Sequence, residues 1–524
     1  MSEMNHSSPS APQSPAQPPT QSLAQRGNNR SRQPTNEAFR DFIGSGWGPR
    51  PSDPPRRSDA APWAQARRAA LGALFPGERL VIPAGPLVTR NNDCDYRFRP
   101  HSAFAHLAGT GTDFEPDAVL VLDPLTVPGQ RVEADEPTHE AVLYFRPRAP
   151  RTSEEFYAEL WVGVRPSIEE VEAATGIRCA HIDTLGDALA KDAGADAVRL
   201  RVVAQADAAV TALVDRVRRA AGLATDQAAR QADDALAEAT SELRLVKDAW
   251  EVDQLQAAVD ATKAGFDNLI RSIPRAKGHW RGERVLEGAF GARAREEGNG
   301  LGYETIAAAG DHANTLHWIN NDGPVEPGQL VLVDAGVEVD SLYTADVTRT
   351  IPVDGRFTTA QRRVYEAVLE AADAAFARAG EPGCRFRDVH TAAMEVIAAR
   401  LQEWGLLPEG VTAADSLGPE GQYHRRWMVH GTSHHLGLDV HDCAQARREM
   451  SMDAELVPGM VFTIEPGLYF RADDLRVPAE LRGTGVRIED DVVVREDGRI
   501  DYLTAAIPRT ADDVEAWVSG LIAQ

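Results

Sequence analysis

Carboxylates inside apolar, strand-forming segments constrain the fold of this chain more than any other feature. Asp334 lies in the run LVLVDA, where an unpaired buried carboxylate would cost several kcal/mol of desolvation. Taken alone, it could be a strand-end residue that caps the turn at Gly336. The same pattern recurs at Asp346 in ADVTRT, Glu465 in FTIEPG and Glu489 in VRIEDD. The fold must therefore bring these segments together and supply positive charge there.

Two of these carboxylates are expected to be close neighbours. Residues 330–339 and 343–353 are rich in β-branched side chains and predict adjacent strands, which would set Asp346 beside Asp334. Two like charges so close cannot both stay ionised without a cation. Either Arg349 or a metal ion could provide it. Recurrence of the pattern at four positions favours a metal site.

Histidines are concentrated in residues 429–442, which read VHGTSHHLGLDVHD. A surface His-rich loop is the alternative to a ligand-bearing segment. Four carboxylates and one imidazole suit Mn²⁺, Co²⁺ or Zn²⁺, whereas a structural zinc site would use thiolates. With so many negative ligands, two cations that share bridging carboxylates balance the charge better than one.

The acidic balance of the whole chain limits its partners. A formal charge of -24 repels phosphate backbones and anionic lipid headgroups, so neither nucleic acid nor a membrane surface is an expected partner. The four cysteines are far apart and form no CxxC pair, which argues against a disulfide framework. No signal-peptide core or membrane-length apolar run is present. These features predict a cytoplasmic protein.

The length of 524 residues predicts two domains and a tail, because single cores stop growing at about 250–300 residues. Residues 1–35 are dominated by Ser, Pro, Gln and Asn and predict a disordered tail. Residues 36–62 are predicted to be a partly ordered lead-in. An N-terminal domain is predicted over 63–235 and a C-terminal domain over 240–524.

Local patterns indicate the fold class of each domain. In the first, short β-rich runs at 79–84, 117–124 and 141–145 alternate with helical stretches such as 205–223, which predicts an α/β domain. In the second, helices are predicted from near Ser241 and over 358–380. Strands are predicted at 459–464 and 485–494, in addition to those carrying Asp334 and Asp346. The second domain is thus an α+β domain, with helices on a largely antiparallel sheet.

Six segments, in this order, resemble the metallopeptidases of the pita-bread fold, and within them the bacterial aminopeptidase P (Xaa-Pro aminopeptidase) group. They are LHWINND, VLVDAG, ADVTRTIPV, VHGTSHHLGLDVHD, TIEPGLY and GTGVRIEDD. The match is close over residues 240–510. A weaker likeness links VTRNNDCDYRFRPHSAFAHLAG to the N-terminal domain of that group, which implies a homo-oligomer, either a dimer or a tetramer.

The resemblance implies a dinuclear site, most readily for two Mn²⁺ ions. Asp334 would chelate one metal, and His434 and Glu465 would be terminal ligands of the other. Asp346 and Glu489 would bridge the two. The spacing between Asp334 and Asp346 is one residue longer than the bacterial pattern, which would lengthen the turn without moving either residue from the site.

The choice of imidazole ligand lies between two neighbouring residues. His435 occupies a position that is aromatic in the family pattern, so the residues alone leave both His434 and His435 open. The register of the resemblance places the ligand four residues after His430 and seven before His441. This register favours His434.

The resemblance also implies how the site works. Water between cations roughly 3.5–4 Å apart loses a proton near neutral pH, and the hydroxide would attack the peptide bond. Glu465 would accept that proton. His441 or His430 would donate to the developing oxyanion, and His317 would seat the substrate. Arg487 would hold ligand carboxylates in place.

The implied activity is release of the N-terminal residue from peptides with proline in second position. An X-Pro bond is a tertiary amide without an N–H, so a site shaped for it excludes ordinary peptides. A prolidase, which cleaves X-Pro dipeptides with the same ligands, is the nearest alternative. A metal-free binding module of the same fold is a more distant one, because it should have lost ligands.

Overall fold

The computed structural model describes residues 36–50, 55–92, 94–112, 114–125, 137–153, 155–194 and 197–523. The predicted disordered tail, residues 1–35, lies outside them. The chain forms two compact units. The smaller combines the described residues before Pro51 with Leu87–Phe98 and Arg148–Arg165, and the larger contains the rest.

In its described residues, the smaller unit has two short helices and a short hairpin. Its first helix begins after Asn36, whose side chain accepts a hydrogen bond of 2.7 Å from the backbone N–H of Phe39. Trp47 packs edge-on against Phe156, with ring centroids 5.5 Å apart. The helices are Glu37–Gly44 and Phe156–Val162, and the paired strands are Thr89–Asn91 and Cys94–Asp95.

The larger unit begins with an α/β region built on a five-stranded sheet. The sheet mixes parallel and antiparallel pairs, and its two central strands are almost wholly buried. The strands, in spatial order, are Arg178–His181, His139–Phe145, Val119–Pro124, Glu78–Pro83 and Arg199–Val202. The α-helices are Ala61–Leu74, Ser102–Ala108, Ile168–Thr175, Leu185–Ala190, Ala208–Ala220 and Gln227–Glu242, and Ile182–Thr184 is a 3₁₀ turn. The predicted α/β class of this region is confirmed.

The junction with the second half differs from the prediction. Ser241 belongs to the end of helix Gln227–Glu242, and the next helix begins at Ala249. The reason is Asp248, which accepts from the Glu251 N–H while the Glu251 side chain accepts from the Asp248 N–H. The predicted domain boundary between 235 and 240 falls within a helix, and its position stays a prediction.

The second half is an α+β region, as predicted. Each pairing between its described strands is antiparallel. The strands are Gly300–Leu301, Ile306–Ala309, Leu330–Ala335, Val337–Glu338, Val347–Pro352, Val461–Ile464, Gly467–Phe470, Thr484–Arg487, Asp490–Val494 and Ile500–Tyr502. The α-helices are Ala249–Arg271, Ile273–Ala276, Gly282–Glu297, Thr359–Ala379, Phe386–Glu403, Ala413–Leu417 and Ala511–Ile522. Turns of 3₁₀ helix lie at Gly310–Asn314, Tyr423–Arg426 and Ala479–Leu481.

Helices cover the apolar sides of these sheets. The predicted helix over 358–380 is confirmed as Thr359–Ala379, with Thr358 as N-cap and a reciprocal bond from Gln361. Its buried face joins one continuous hydrophobic core that also contains the strands. In the described part of the chain, no helix is both long enough and apolar enough to cross a lipid bilayer.

The predicted strand over 485–494 is wrong in one respect, because it is two strands in different sheets. Arg487 pairs with Gly467, whereas Asp490 pairs with Ile464. Between them, the N–H of Glu489 donates instead to the carbonyl of Thr348 on a third sheet, at 3.1 Å. The chain therefore changes partner at the residue predicted to be a metal ligand.

Charged contacts join the α/β region to the second half within the larger unit. The guanidinium of Arg67 donates to Asp248 Oδ2 at 2.9 and 2.6 Å. Arg99 Nε donates to Glu338 Oε2 at 2.7 Å, and Ser102 Oγ donates to Asp439 Oδ1 at 2.6 Å. Because Asp439 precedes the segment that ends in His441, these contacts also support the site described below.

Candidate metal centre

The strands that carry Asp334 and Asp346 are neighbours, as predicted. Leu330–Ala335 lies between Ile306–Ala309 and Val347–Pro352 in a three-stranded sheet. Asp334 is directly opposite Thr348, and Asp346 immediately precedes its strand. The hydroxyl of Tyr303 donates to Asp334 Oδ1 at 2.7 Å and also contacts Asp346 Oδ1. One phenol therefore ties both carboxylates together.

The other two carboxylates come from points where strands end. Glu465 follows Val461–Ile464, and Glu489 occupies the gap before Asp490–Val494. The hydroxyl of Thr348 donates to Glu489 Oε2 at 2.7 Å. Strand ends allow a side chain to leave the apolar face without breaking the ladder, which explains how carboxylates can sit here.

His434 is the centre of the cluster. Its Nε2 lies 3.3 Å from Asp346 Oδ2, 3.5 Å from Glu465 Oε1 and 3.9 Å from Glu489 Oε1. One donor atom each from Asp346, His434 and Glu489 lie within 4.8 Å of one another. This is the spacing of groups that can share a cation.

A cavity of ≈ 350 Å³ contains every predicted site residue. Its lining also includes Leu316, Gly431 and Ser433. The predicted residues in the lining are His317, Asp334, Asp346, His430, His434, His441, Glu465, Arg487 and Glu489.

The carboxylates repel one another strongly. Burial raises the pKa of Glu489 well above its usual range, and the charges of Asp346 and Glu465 raise it further. Burial likewise raises the pKa of Glu465 to about 7, with Asp346 adding to the effect and His434 opposing it. Burial raises the pKa of Asp334 as well. Such a crowded set of oxygen donors with one imidazole fits divalent cations, which would neutralise it.

The imidazole of His434 is stabilised in its charged form, unlike the carboxylates around it. Burial alone would lower its pKa, but the hydrogen bond to Asp346 and the charge of Glu465 outweigh burial and raise the pKa to about 9. The carboxylates that stabilise a proton on His434 would also stabilise a metal ion that takes the place of that proton.

Arg487 fixes the cluster from one side. Its Nη2 donates to Asp334 Oδ2 at 2.5 Å, Nε donates to Thr348 Oγ1 at 3.0 Å, and Nη1 donates to the Tyr469 hydroxyl at 3.1 Å. Arg349, the alternative cation for the two aspartates, is buried on the other face of the strand. There its Nη2 donates to Asp490 Oδ1 at 2.6 Å.

A chain of hydrogen bonds orients His430. Its Nδ1 lies 2.6 Å from the carbonyl of Gly431, which can only accept, so Nδ1 carries the proton. Its Nε2 then accepts from the Tyr469 hydroxyl at 2.7 Å. Burial and the charge of Arg487 lower the pKa of His430 to about 3, which keeps it neutral.

The two other predicted histidines are placed differently around the cavity. The ring of His441 meets that of His434 edge-on, with centroids 4.5 Å apart. His317 lies in the loop after the 3₁₀ turn Gly310–Asn314. Glu283 anchors that loop by accepting four bonds, from Ala309 N, His312 Nδ1, Trp318 Nε1 and Gly323 N.

His435 lies in the hydrophobic core. Its ring stacks on Phe386 with centroids 4.4 Å apart and an interplanar angle of 17°. Neither of its buried ring nitrogens has a hydrogen-bond partner among the described residues. His435 therefore behaves as the aromatic residue that the family pattern has at this position, while its neighbour His434 faces the cavity.

Several residues of the site were not predicted from sequence. Tyr303 and Glu283 lie in segments with no repeated pattern to single them out. Tyr469 lies in the TIEPGLY segment, and Thr348 in ADVTRT, but neither residue type stands out in a strand. Only their contacts in three dimensions reveal them.

Comparison with known proteins independently relates this chain to metallopeptidases. Residues 253–496 match metallopeptidase family M24, and residues 64–200 match the aminopeptidase P N-terminal domain. Xaa-Pro aminopeptidase 2 of Streptomyces coelicolor is 49% identical over 466 residues, covering 88% of this chain and 92% of that protein. Xaa-Pro aminopeptidase of Escherichia coli is 32% identical over 454 residues, covering 86% and 96%.

Solved structures agree with these relatives. Aminopeptidase PepP of Pseudomonas aeruginosa superposes with a TM-score of 0.73 at 30% identity. The superposition covers 89% of this chain and 100% of that chain. Aminopeptidase P of Escherichia coli with the inhibitor Pro-Leu gives the same TM-score of 0.73 and 30% identity, covering 89% and 100%.

The fold and the cavity together define a metal-dependent peptidase with a pita-bread catalytic domain. Its donor set and its relatives imply divalent metal ions. The chain belongs to metallopeptidase family M24.

Proposed function

We propose that this protein is an Xaa-Pro aminopeptidase, which releases the N-terminal residue from peptides with proline in second position. The observation that carries the proposal is the single cavity lined by all nine candidate residues. Support also comes from relatives named Xaa-Pro aminopeptidase that align over most of the chain.

Two divalent ions, most readily Mn²⁺ with Co²⁺ or Zn²⁺ as alternatives, would be held by five residues. Asp346 and Glu489 would bridge them, Asp334 would chelate one, and His434 and Glu465 would complete the other. The short distances from His434 Nε2 to three of these carboxylates support this division. When bound, the ions supply Lewis acidity and lower the pKa of water in the cavity.

Glu465 and three further residues would handle protons and substrate. Glu465, whose pKa burial raises to about 7, would accept the proton of the attacking water. His441, which lines the cavity with its ring edge-on to that of His434, would donate to the oxyanion that develops on the scissile carbonyl. His317 would seat the substrate, and Arg487 would position Asp334.

A comparison of substrates tests the activity. Metal-stripped protein is reloaded separately with Mn²⁺, Co²⁺ or Zn²⁺ and assayed with Xaa-Pro-Pro peptides, with Xaa-Ala-Pro peptides and with the dipeptide Ala-Pro. We expect cleavage of the first bond of Xaa-Pro-Pro, with Mn²⁺ giving the highest rate. Preference for Ala-Pro would instead identify a prolidase. Release of residues from both tripeptide classes at similar rates would contradict the proline requirement.

A pair of substitutions tests the bridging residues. Glu489→Ala removes one proposed bridge and should abolish both activity and binding of two ions per chain, measured by elemental analysis and titration calorimetry. Asp373→Ala is the control, because Asp373 is an exposed acidic residue that pairs with Arg509. Retained turnover in Glu489→Ala would contradict the two-metal arrangement.

We also propose that the protein is a cytoplasmic homo-oligomer, either a dimer or a tetramer. The family likeness of the N-terminal region supports oligomerisation, and the scattered cysteines support a reducing compartment. Light scattering on the full chain measures the first property, and a monomer at micromolar concentration would contradict it. Cell fractionation measures the second.

A further inference from the structure

Two consecutive arginines on helix Ala61–Leu74 are buried, but only Arg67 has a counter-charge among the described residues. The side chain of Arg67 reaches Asp248 at 2.6 Å and Glu251 at 3.5 Å. Arg68, 8% exposed, makes no ion pair with any described residue, and its Nη1 donates to the carbonyl of Leu107 at 2.7 Å. A buried guanidinium without a counter-charge is costly, so its presence calls for an explanation.

The charge around Arg68 is positive rather than balanced. Burial and the like charge of Arg57 lower the pKa of Arg68 to about 10, and no carboxylate in the described part of the chain opposes them. At neutral pH Arg68 is still protonated. A guanidinium has five N–H donors, so most of those of Arg68 remain available after the bond to Leu107.

Arg68 lines a cavity of ≈ 330 Å³ in the α/β region. The cavity lies between its own helix, the strand His139–Phe145 and the turn at Gly176. Arg57 is at the edge, since a Cβ added at Gly176 would be 3.0 Å from Arg57 Nη2. We call this cavity the anion pocket. It shares no lining residue with the metal centre.

The remaining charges in the anion pocket cancel. Arg178 Nε donates to Glu140 Oε1 at 2.9 Å, and both residues line the cavity. His139 Nε2 lies 2.7 Å from the carbonyl of Glu78, so it carries the proton, and Nδ1 accepts from the Thr138 hydroxyl at 2.9 Å. Burial lowers the pKa of His139 below its ordinary 6.5, so the ring is neutral at pH 7. Among the described residues, this leaves the guanidinium groups of Arg57 and Arg68 as a net charge of two.

We propose that the anion pocket binds a small dianion of the phosphate class. Two guanidinium groups that have no carboxylate partner among the described residues match two negative charges, and the planar fork of arginine suits tetrahedral oxyanions. The cavity has room for inorganic phosphate or for a small phosphomonoester, and both present the same group. The proposal concerns the α/β region and is independent of the peptidase activity.

Titration calorimetry and thermal unfolding of the full metal-loaded chain test the proposal. The probes are inorganic phosphate and sulfate as dianions, with acetate and chloride as monoanions. We expect saturable binding of the dianions in calorimetry. The midpoint temperature of thermal unfolding should rise with dianion concentration, because a ligand that binds the folded state stabilises that state. Phenyl phosphate, compared with inorganic phosphate, shows whether an ester is preferred over the free ion.

Three variants separate the anion pocket from other sites. Arg68→Gln should weaken dianion binding by about tenfold or more, which corresponds to about 1.4 kcal/mol. Arg57→Gln, at an exposed position, should weaken binding in the same direction even if Arg68→Gln folds poorly. Arg56→Gln is the matched control, because Arg56 is exposed and already pairs with Asp59.

Phosphate bound at the metal centre would persist in all three variants and would appear as inhibition of the peptidase. The proposal is overturned if the dianions show no saturable binding, if Arg57→Gln and Arg68→Gln bind them as the parent protein does, or if chloride and acetate bind equally well.

Discussion

Three consecutive acidic residues serve three different purposes in this protein. Glu489 enters the cavity, and Asp490 accepts from Arg349 behind the sheet at 2.6 Å. Asp491 Oδ2 accepts from the backbone N–H of Asp346 at 3.1 Å. Alternation along the strand separates these roles, so a shift of one residue would exchange a candidate ligand for a structural ion pair.

Tyr303 links the two aspartates of the cavity and is open to a direct test. Tyr303→Phe removes the hydroxyl that contacts Asp334 and Asp346. Loss of such a supporting group should lower metal affinity or kcat/KM by about 10–100-fold, measured by calorimetry and peptide assay. Tyr365→Phe is the matched control, since the Tyr365 hydroxyl donates to the Arg509 carbonyl. Equal effects of both substitutions would argue against a specific role.

The same substitution at two adjacent histidines should have opposite outcomes. His435→Phe should keep kcat/KM and raise the free energy of unfolding by about 1 kcal/mol, because it removes two unpartnered buried nitrogens while keeping the stack on Phe386. His434→Phe should abolish activity. Peptide assays and urea unfolding measure both. If His435→Phe loses activity while His434→Phe keeps it, His434 is not the metal ligand.

The candidate site was largely predictable because carboxylates in apolar strands are costly and therefore conspicuous. The choice between His434 and His435 was not, since both lie in one loop and only packing separates them. Tyr303 and Glu283 could not be predicted, because a lone tyrosine or a helical glutamate carries no signal until its partners are known.

At the scale of elements, Glu283 connects a helix to the loop that carries His317. Its carboxylate accepts four hydrogen bonds and is 0% exposed. In Glu283→Gln, the amide nitrogen would face N–H donors, which should cost about 1–3 kcal/mol of stability for each donor left unpaired. We also expect a higher KM for Xaa-Pro-Pro peptides, because the His317 loop would loosen.

Urea unfolding and steady-state kinetics distinguish the two effects. Glu296→Gln, on the exposed face of the same helix, is the control. A loss of stability without any change in KM, measured well below the unfolding midpoint, would show that Glu283 supports the fold but not the substrate site.

Elements with strong local signals were predicted well. Helix Thr359–Ala379 has an apolar stripe, a capping threonine and a terminal glycine, and these agree with one another. The break at Glu489 was missed because Thr484–Arg487 and Asp490–Val494 are both β-rich, and only the change of partner strand separates them. The pairing of strands that are distant in sequence cannot be predicted from the residue pattern within one segment.

At the scale of the molecule, the metal ions should remove a pH dependence of the folding stability. Without them, the pKa of Glu465 is raised to about 7 by burial and by Asp346, above its ordinary value of 4.5. The folded state then holds a proton that the unfolded state releases. Stability should therefore fall as pH rises from about 4.5 to about 7, by about 1.4 kcal/mol for each unit.

Denaturant unfolding of stripped and Mn²⁺-reloaded protein across that pH range measures this effect. Metal-loaded protein should lack the decline, because the cations neutralise the carboxylates. Glu465→Gln should flatten it in the stripped protein. A stripped protein whose stability rises with pH over this range would contradict the crowding of these carboxylates.

The order of the candidate ligands along the chain has a consequence for biosynthesis. Asp334 is translated early in the catalytic half, whereas Glu489 follows only after most of that half has been made. Under the proposed ligand assignment, a nascent chain on the ribosome cannot hold the ion pair until its last bridge has emerged. Metal would be acquired after translation, so the metals then present in the compartment, rather than affinity alone, would decide which ions the enzyme carries.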